Sequence, residues 1–306
     1  MLSGEKILVT GPAGNIAFPL ARYLAEQNEV WGIARFSEEG SREKVEALGV
    51  KTLVCDLGTA DFSELPNDFT YVLHLAATVR GGTDYDAAMA VNAEGTGLLL
   101  QHCRKAKAAL VMSTHSVYKP HEDHDHVYVE TDALGDVNAA NTPTYSVAKI
   151  GQEAVARYCA RAFDLPVIIC RMNAAYYSFG GLPMIQIEMA IAGQPVHTRW
   201  DPCWYSPIHQ DDINDQTEGL LAAAAVPAPI VNWAGDEPAS VQDWCNYAAE
   251  LTGTKANVVV NYPPGTLKGS IADNTKRKAF AGPCKVGWRE AVRRQIEDRH
   301  PDLLKG

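Results

Sequence analysis

The sequence has no Cys-x-x-Cys pair, no apolar run long enough to cross a bilayer and no excess of positive charge, and each absence removes a class of function. Its seven cysteines (Cys55, Cys103, Cys159, Cys170, Cys203, Cys245 and Cys284) are an odd number, placed mostly inside apolar segments. A disulfide framework is therefore disfavoured, and reduced thiols in a reducing compartment are the expectation. No stretch approaches the roughly 20 apolar residues of a bilayer span, and Met1 to Thr10 holds one short apolar run without the longer hydrophobic core of a signal peptide. A cytoplasmic protein with no membrane partner is expected. The net charge of −10 argues against nucleic acid and anionic membranes as general partners. Internal repeats and low-complexity tracts are lacking as well.

What is present is an alternation of short apolar runs and helical periodicities. Lys6–Thr10, Glu29–Ala34, Thr52–Cys55, Tyr71–Leu75, Ala109–Ser113 and Pro166–Cys170 read as strands. Helical patterns run over Asn15–Glu26, Ser41–Leu48 (with Ser41 as N-cap), Asp84–Lys105 and Thr144–Phe163. Continuous apolar strands separated by helices predict a parallel sheet covered on both faces, that is, an α/β, Rossmann-type doubly wound fold. After Arg171 the alternation weakens. The expected division is a dinucleotide-binding domain over 1–170, with a return to the sheet around 208–233, and a smaller substrate-binding domain mainly over 171–306. Ile230–Trp233 and Asn257–Asn261 read as extended, and Ser240–Leu251 and Trp288–Asp298 as helical.

Four local patterns carry chemistry. Thr10-Gly11-Pro12-Ala13-Gly14-Asn15-Ile16-Ala17 joins the first strand to the first helix. Glycine lets the backbone approach a pyrophosphate, and the helix N-terminus offers unpaired N–H groups to it. At the end of the second strand, where an NAD enzyme carries an acidic residue for the ribose hydroxyls, Ala34 is followed by Arg35, which suits a 2′-phosphate and so NADP(H) over NAD(H). Tyr145-Ser146-Val147-Ala148-Lys149 places a phenol and an ammonium on one helical face. A free phenol titrates near ~10, and a neighbouring cation is expected to bring it down, so that it can exchange a proton with an oxygen whose carbon exchanges hydride. Ser113-Thr114-His115-Ser116, at the end of the fifth strand, supplies hydroxyls to hold that oxygen.

With these pieces in place, the chain resembles the extended branch of the short-chain dehydrogenase/reductase superfamily, the NAD(P)-dependent epimerase/dehydratase group. The matching motifs are Thr10-Gly11-x-x-Gly14-x-x-Ala17, Asp56-Leu57, His74-Leu75-Ala76-Ala77, Val91-Asn92-x-x-Gly95-Thr96, Ser113-Thr114-x-x-Val117-Tyr118, Tyr145-x-x-x-Lys149 and Ile208-His209-x-Asp211-Asp212. The resemblance implies that Thr114 partners Tyr145 and that Lys149 bonds the nicotinamide ribose. It implies that Asp56 and Leu57 lie by the adenine, and that Ala76 and Ala77 line the cofactor. Gly11, Ala13, Gly14, Asn15, Ile16, Arg35, Asn92 and Ser113 complete the candidate cofactor residues, with Asn92 in a supporting place. It also implies a homodimer paired through the helices that start near Asp84 and Thr144.

Departures from the family's patterns narrow the expected chemistry. The family's dehydratases follow the threonine with Asp-Glu, where this chain has His115-Ser116. Its epimerases carry a phosphate-gripping arginine where Tyr205 stands, and a second near Pro263-Pro264-Gly265, where Lys268 is the nearest cation. With Trp200, Trp204 and Tyr205 in this region, the expectation is an NADP(H)-dependent oxidoreductase acting on the carbonyl or alcohol of a small, uncharged substrate. A nucleotide-sugar epimerase is the alternative, and a regulator that binds NADP(H) without turnover comes third. His115, Asn173, Tyr176 and Trp204 are the candidate substrate contacts. His121-Glu122-Asp123-His124-Asp125-His126 reads as a solvated polar loop, so no metal is expected, and His209 with Asp211 and Asp212 as a structural brace.

Overall fold

In the computed structural model, residues 2–79, 82–137, 142–177 and 180–304 are described. Seven strands, β1 (Lys6–Thr10), β2 (Glu29–Ala34), β3 (Lys51–Val54), β4 (Tyr71–His74), β5 (Ala108–Thr114), β6 (Val167–Met172) and β7 (Ile230–Trp233), form one sheet. Its order is β7-β6-β5-β4-β1-β2-β3 and every pairing is parallel. The strand order reverses between β1 and β4, and the carboxyl ends there open the crevice in which such sheets bind ligands.

The alternation of side chains along each strand divides the core between two faces. Ile7 and Val9 of β1, with Leu110, Met112, Ile168, Cys170 and Trp233, pack on the helices α1 (Ala17–Ala25) and α7 (Gln210–Ala222). Leu8, with Val72, Ala109, Val111, Val167 and Ile169, packs on α4 (Gly95–His102) and α5 (Tyr145–Phe163). Ile230–Trp233 joins the sheet beside β6, with Trp233 opposite Met172, as the sequence pattern suggests.

Two elements depart from the sequence reading. The helix expected over Asp84–Lys105 is three pieces, α3 (Tyr85–Met89), a π-helical turn (Ala90–Glu94) and α4. A π turn adds one residue to the helical ladder and rotates the remainder of the helix about its axis. Asn92 and Thr96 end up facing Thr78 and His74. Ser41 is not the cap of α2 (Ser41–Glu46). Gly40 holds that place at φ 73°, a left-handed conformation that glycine adopts without strain, and the Ser41 hydroxyl donates to Glu38 O at 2.6 Å.

A separate apolar core lies in the second half. Met184 and Ile187 of α6 (Leu182–Ile191), Trp244 and Ala248 of α8 (Val241–Thr252), and Trp288, Val292 and Ile296 of α10 (Trp288–Arg299), which follows the short α9 (Thr275–Ala281), pack together. Ser240 and Asp243 close a capping box at the start of α8. The short strand Val196–Thr198 pairs with Val258–Val260 at the edge of this region.

The central strands are the stability core of the sheet. Replacing the fully buried Leu110 by alanine removes its packing and leaves a cavity, so a urea titration should show a loss of about 2–5 kcal/mol. A loss under ~1 kcal/mol would mean that β5 does not sit in a close-packed interior.

Candidate active site

Three cavities lie in a row along the carboxyl ends of the strands. The first, of about 340 Å³, is lined by Gly11, Ala13, Gly14, Arg35, Asp56, Leu57, Ala76 and Ala77. The second, of about 270 Å³, shares Gly11, Gly14 and Ala77 and adds Asn15, Ile16, Ser113, Thr114, Tyr145 and Lys149. The third, of about 340 Å³, shares Asn15, Ile16, Thr114 and Asn173 with the second and continues to His115, Arg199, Tyr205 and Ser270. Shared walls make one groove of the first two, with the third opening from its inner end.

The turn at the start of that groove is built for close approach. Gly11 has φ +66°, and a Cβ there would lie 3.2 Å from Ala76 Cα. A side chain would both strain the turn and fill the gap between β1 and β4. The amino end of α1 faces the same space, so the residues present fit the diphosphate of a dinucleotide.

A chain of hydrogen bonds ties this turn to Lys149. Thr10 Oγ1 accepts the N–H groups of Leu75 and Ala76 at 3.0 and 2.9 Å, so its own hydrogen goes to His74 Nδ1 at 2.9 Å. His74 Nε2–H then donates to Thr96 Oγ1 at 2.7 Å. That hydroxyl donates to Asn92 O at 2.6 Å and accepts from Gln152 Nε2 at 3.0 Å. The Gln152 amide is thereby oriented, and its oxygen accepts from Lys149 Nζ at 2.6 Å, as does Met112 O, also at 2.6 Å. One ammonium N–H is left for another partner. Burial brings the Lys149 pKa down to about 7, with the Glu153 carboxylate pushing the other way.

Tyr145 stands at the first turn of α5, half-buried, and Thr114 at the end of β5. Burial raises the phenol above its ordinary value, and hydrogen bonding with Thr114 opposes the rise. This differs from the expectation that Lys149 makes the phenol acidic. The ammonium lies 6.0 Å from the centre of the tyrosine ring and is held by Gln152 and Met112. In this state, therefore, desolvation outweighs the cation.

Below the site lies a buried ion pair. Arg171 grips Glu153 through Nε at 2.9 Å and Nη2 at 2.8 Å, and Ser113 Oγ donates to Glu153 Oε1 at 2.5 Å. Ser113 therefore lines the groove while spending its hydroxyl on this pair. Asn92 reaches none of the three cavities. Both ends of its amide are bonded to the backbone of Thr78, at 2.8 and 3.0 Å, where it shapes the loop after β4.

Of the four expected substrate contacts, His115 and Asn173 line the third cavity, and Tyr176 and Trp204 do not. Tyr176 is turned into the core against His209, with ring centres 5.3 Å apart, while Ala175 faces the cavity. Trp204 pairs with Ser240, and its neighbour Tyr205 faces the cavity instead. Asn173 is occupied: its amide nitrogen donates to Ser270 O at 2.7 Å and its oxygen accepts from Ala174 N and Ser206 N. Residues 178–179 of this segment lie outside the described residues. Arg199 and Gln152 were not singled out in the sequence, and His74 and Thr96 were named only as motif positions, without the bond between them. Gln152 had a usable signal, being one helical turn beyond Lys149. In the loop before α5 the rings of His121 and His126 stack at 4.0 Å and His126 bonds Asp132 at 2.8 Å. Among the described residues no three His, Cys, Asp or Glu side chains gather as a metal site.

A profile of the NAD dependent epimerase/dehydratase family matches residues 7–181, more than half of the chain. The chain belongs to that family. Among curated relatives, a probable dTDP-glucose 4,6-dehydratase of Sinorhizobium fredii is 28% identical over 190 residues, which cover 57% of this chain and 54% of the relative. A trifunctional UDP-glucose 4,6-dehydratase/UDP-4-keto-6-deoxy-D-glucose 3,5-epimerase/UDP-4-keto-L-rhamnose-reductase of Arabidopsis thaliana is 23% identical over 323 residues, 96% of this chain and 47% of the relative. The chain thus spans about half the length of the curated relatives it matches. Among solved structures, UDP-glucuronic acid 4-epimerase of Bacillus cereus, in complex with UDP-glucuronic acid and NAD, has a TM-score of 0.82 at 24% identity, covering 95% of this chain and 98% of that one. This likeness establishes the fold. The family works with an NAD-class cofactor, and the Gly11–Ile16 groove is where this member would hold it.

The buried histidines give the site a pH signature. Burial takes His74 and His115 down to about 3, helped at His74 by Lys149 and at His115 by Arg171. Between pH 6.5 and 3 the unfolded chain binds protons that the folded chain refuses, so stability is full above 6.5 and falls with pH below it. Relative to a His74→Asn variant, the wild type should lose roughly 1.4 kcal/mol per pH unit over that window in urea titrations. Parallel slopes for the two proteins would remove the buried neutral imidazole from the account.

Proposed function

We propose that this protein oxidises and re-reduces a hydroxyl-bearing carbon of a nucleotide-sugar substrate, in the manner of an epimerase, with Tyr145 exchanging the hydroxyl proton. The observation that carries this is the middle cavity, where Thr114, Tyr145 and Lys149 face the Gly11–Ile16 turn on one side and open to a polar cavity on the other. A bound nicotinamide would accept and return the hydride. Thr114 holds the substrate oxygen, and Tyr145 takes its proton as the C–H bond breaks and returns it as that bond re-forms. Lys149 keeps one N–H for the ribose of a bound cofactor, and the hydrogen bond with Thr114 is what opposes the rise of the phenol.

Family membership and the names of the relatives support a nucleotide sugar over the small uncharged carbonyl compound suggested by the sequence, and Arg199 in the third cavity removes the argument for an uncharged site. Dehydration is less well supported, although two relatives are named for it. His115 follows Thr114 as a buried neutral imidazole, and among the described residues no carboxylate lines the substrate cavity to carry an elimination. NADP(H) over NAD(H) is part of the proposal. Arg35 is exposed in the lining of the first cavity, beside Ser37 and Ser41, and Ala34 leaves no acid at the end of β2; Glu38 and Asp56 are the acidic groups in that lining. Pairing of two copies is also proposed, supported by Leu98, Val147 and Tyr158 exposed on α4 and α5. The seven cysteines are unpaired, which supports a reducing compartment such as the cytoplasm. Among the described residues no helix is long and apolar enough to cross a membrane.

Incubation with UDP-glucose or UDP-glucuronic acid and NADP+ or NAD+ should yield the 4-epimer, and Tyr145→Phe should lower turnover by about 10²–10⁴-fold while cofactor affinity stays the same. Turnover of simple ketones with no epimerisation would reverse the ranking, and full activity in the phenylalanine variant would remove Tyr145 from the chemistry. Arg35→Ala should weaken NADP+ binding by tenfold or more and leave NAD+ binding within twofold; equal losses would discard the NADP(H) preference.

A further inference from the structure

Gln152 lies one helical turn beyond Lys149 on α5, is fully buried, and lines none of the three cavities. An amide in a dry interior is costly unless both of its ends are bonded, and here both are. Nε2 donates to Thr96 Oγ1 at 3.0 Å, and Oε1 accepts from Lys149 Nζ at 2.6 Å. The amide cannot be turned round, because an ammonium has only N–H groups and would then face another. Thr96 Oγ1 also accepts from His74 and donates to Asn92 O, so it is oriented before the amide meets it.

The other groups around the ammonium are spent or uncharged. Glu153, the next residue on α5, carries the charge that acts on Lys149. Its carboxylate is already gripped by Arg171 of β6 and bonded by Ser113 of β5. His74 at the end of β4 and His115 after β5 stay neutral down to about 3. The Tyr145 phenol, raised by burial, keeps its hydrogen at neutral pH. Glu94 of the π turn and Asp84 and Asp86 at α3 are exposed to solvent. Met112 O is a backbone group fixed by the sheet. Gln152 is therefore the side chain through which the sequence can adjust Lys149.

We propose that Gln152 is a positioning residue for the cofactor: its amide oxygen keeps the Lys149 ammonium charged and turned so that the remaining N–H meets the ribose of a bound dinucleotide. The assignment rests on the use of the Gly11–Ile16 groove for a dinucleotide and is independent of what the third cavity receives. An ammonium donates more strongly than an amine. Cofactor affinity is thus full below about 7, where the free protein holds Lys149 charged, and falls as pH rises above it. Removing the amide oxygen takes away an acceptor and favours the neutral amine, whereas a carboxylate in its place favours the ammonium. The two replacements move the fall in opposite directions.

Calorimetric titration of the full chain with NADP+ or NAD+, whichever binds more tightly, would compare wild type, Gln152→Met and Gln152→Glu across neutral pH. Methionine keeps the volume of the side chain and leaves Thr96 its bonds to His74 and Asn92, so the loss falls on Lys149. At neutral pH the methionine variant should bind the cofactor about five- to tenfold more weakly. Its affinity should begin to fall about one pH unit earlier than in wild type. The glutamate variant should stay within about twofold of wild type at neutral pH and hold its affinity to higher pH. Melting temperatures within a few degrees of wild type are the control for folding. Should the methionine variant not fold, the isosteric glutamate variant carries the test alone. An unmoved pH dependence in either folded variant, even with weaker binding, would overturn the assignment, because packing alone would then explain the loss. Shifts in the same direction in both, or binding of neither dinucleotide to the wild type, would overturn it as well. Opposite shifts without epimerisation of a nucleotide sugar leave this assignment standing and sink the proposed function. Epimerisation with an unmoved pH dependence does the reverse.

Discussion

An ammonium group held where water does not reach is the constraint on which this site depends. Lys149 is 1% exposed, and a charge in such a place is tolerated only with acceptors around it. Met112 O and the Gln152 amide are those acceptors, and the amide is oriented because Thr96 takes its N–H. Thr96 is placed by His74, and His74 by Thr10, whose oxygen also holds the backbone where β4 ends. Each link passes its donor to one acceptor, and both threonine hydroxyls are saturated. The turn that would carry a dinucleotide and the lysine that would meet its far end are therefore fixed by one polar network that threads a dry interior. Such a network specifies a single arrangement, because a half-satisfied member would cost more than an apolar replacement.

The sheet explains why these groups converge. Parallel strands put their carboxyl ends on one edge, and the reversal of strand order between β1 and β4 opens that edge. Thr10, His74 and Thr114 all sit at strand ends on this edge, and α5 lays Tyr145 and Lys149 across it. The second apolar core, built on α6, α8 and α10, closes the far side and brings Arg199 and Tyr205 to the third cavity. Polarity changes along the groove. The end near Arg35 has acids and a base together, the middle has hydroxyls and an ammonium, and the inner end has donors and a fixed cation.

Much of this was legible in the sequence because the signals are local. The Gly-rich turn, the hydroxyls after β5 and the Tyr/Lys pair each lie within a few residues, at the junction of a strand and a helix whose periods change visibly there. The return of Ile230–Trp233 to the sheet was legible as an apolar β run. The readings that failed did so for two physical reasons. The first is strand parity: Ala175 and Tyr176 face opposite ways, as do Trp204 and Tyr205, and a run of two residues gives no pattern from which to tell which side is the cavity. The aromatic residue went to the core in one pair, and Tyr205 instead of Trp204 to the cavity in the other. The second is distance along the chain. Arg199 matters because it shares a cavity wall with Thr114, and Gln152 because it bonds Thr96, neighbours that no window of sequence contains. The expected lowering of the Tyr145 phenol failed because burial, which spacing does not report, acts more strongly on it than a lysine already bonded elsewhere.

The most direct measurement is a crystal structure of the protein grown with NADP+. The expected result is the diphosphate against the Gly11–Ile16 turn, the ribose within hydrogen-bond reach of Lys149 Nζ, and the nicotinamide ring over the space between Thr114 and Tyr145. A dinucleotide bound with its nicotinamide away from that phenol, or a Gly11–Ile16 turn closed against it, would contradict the account.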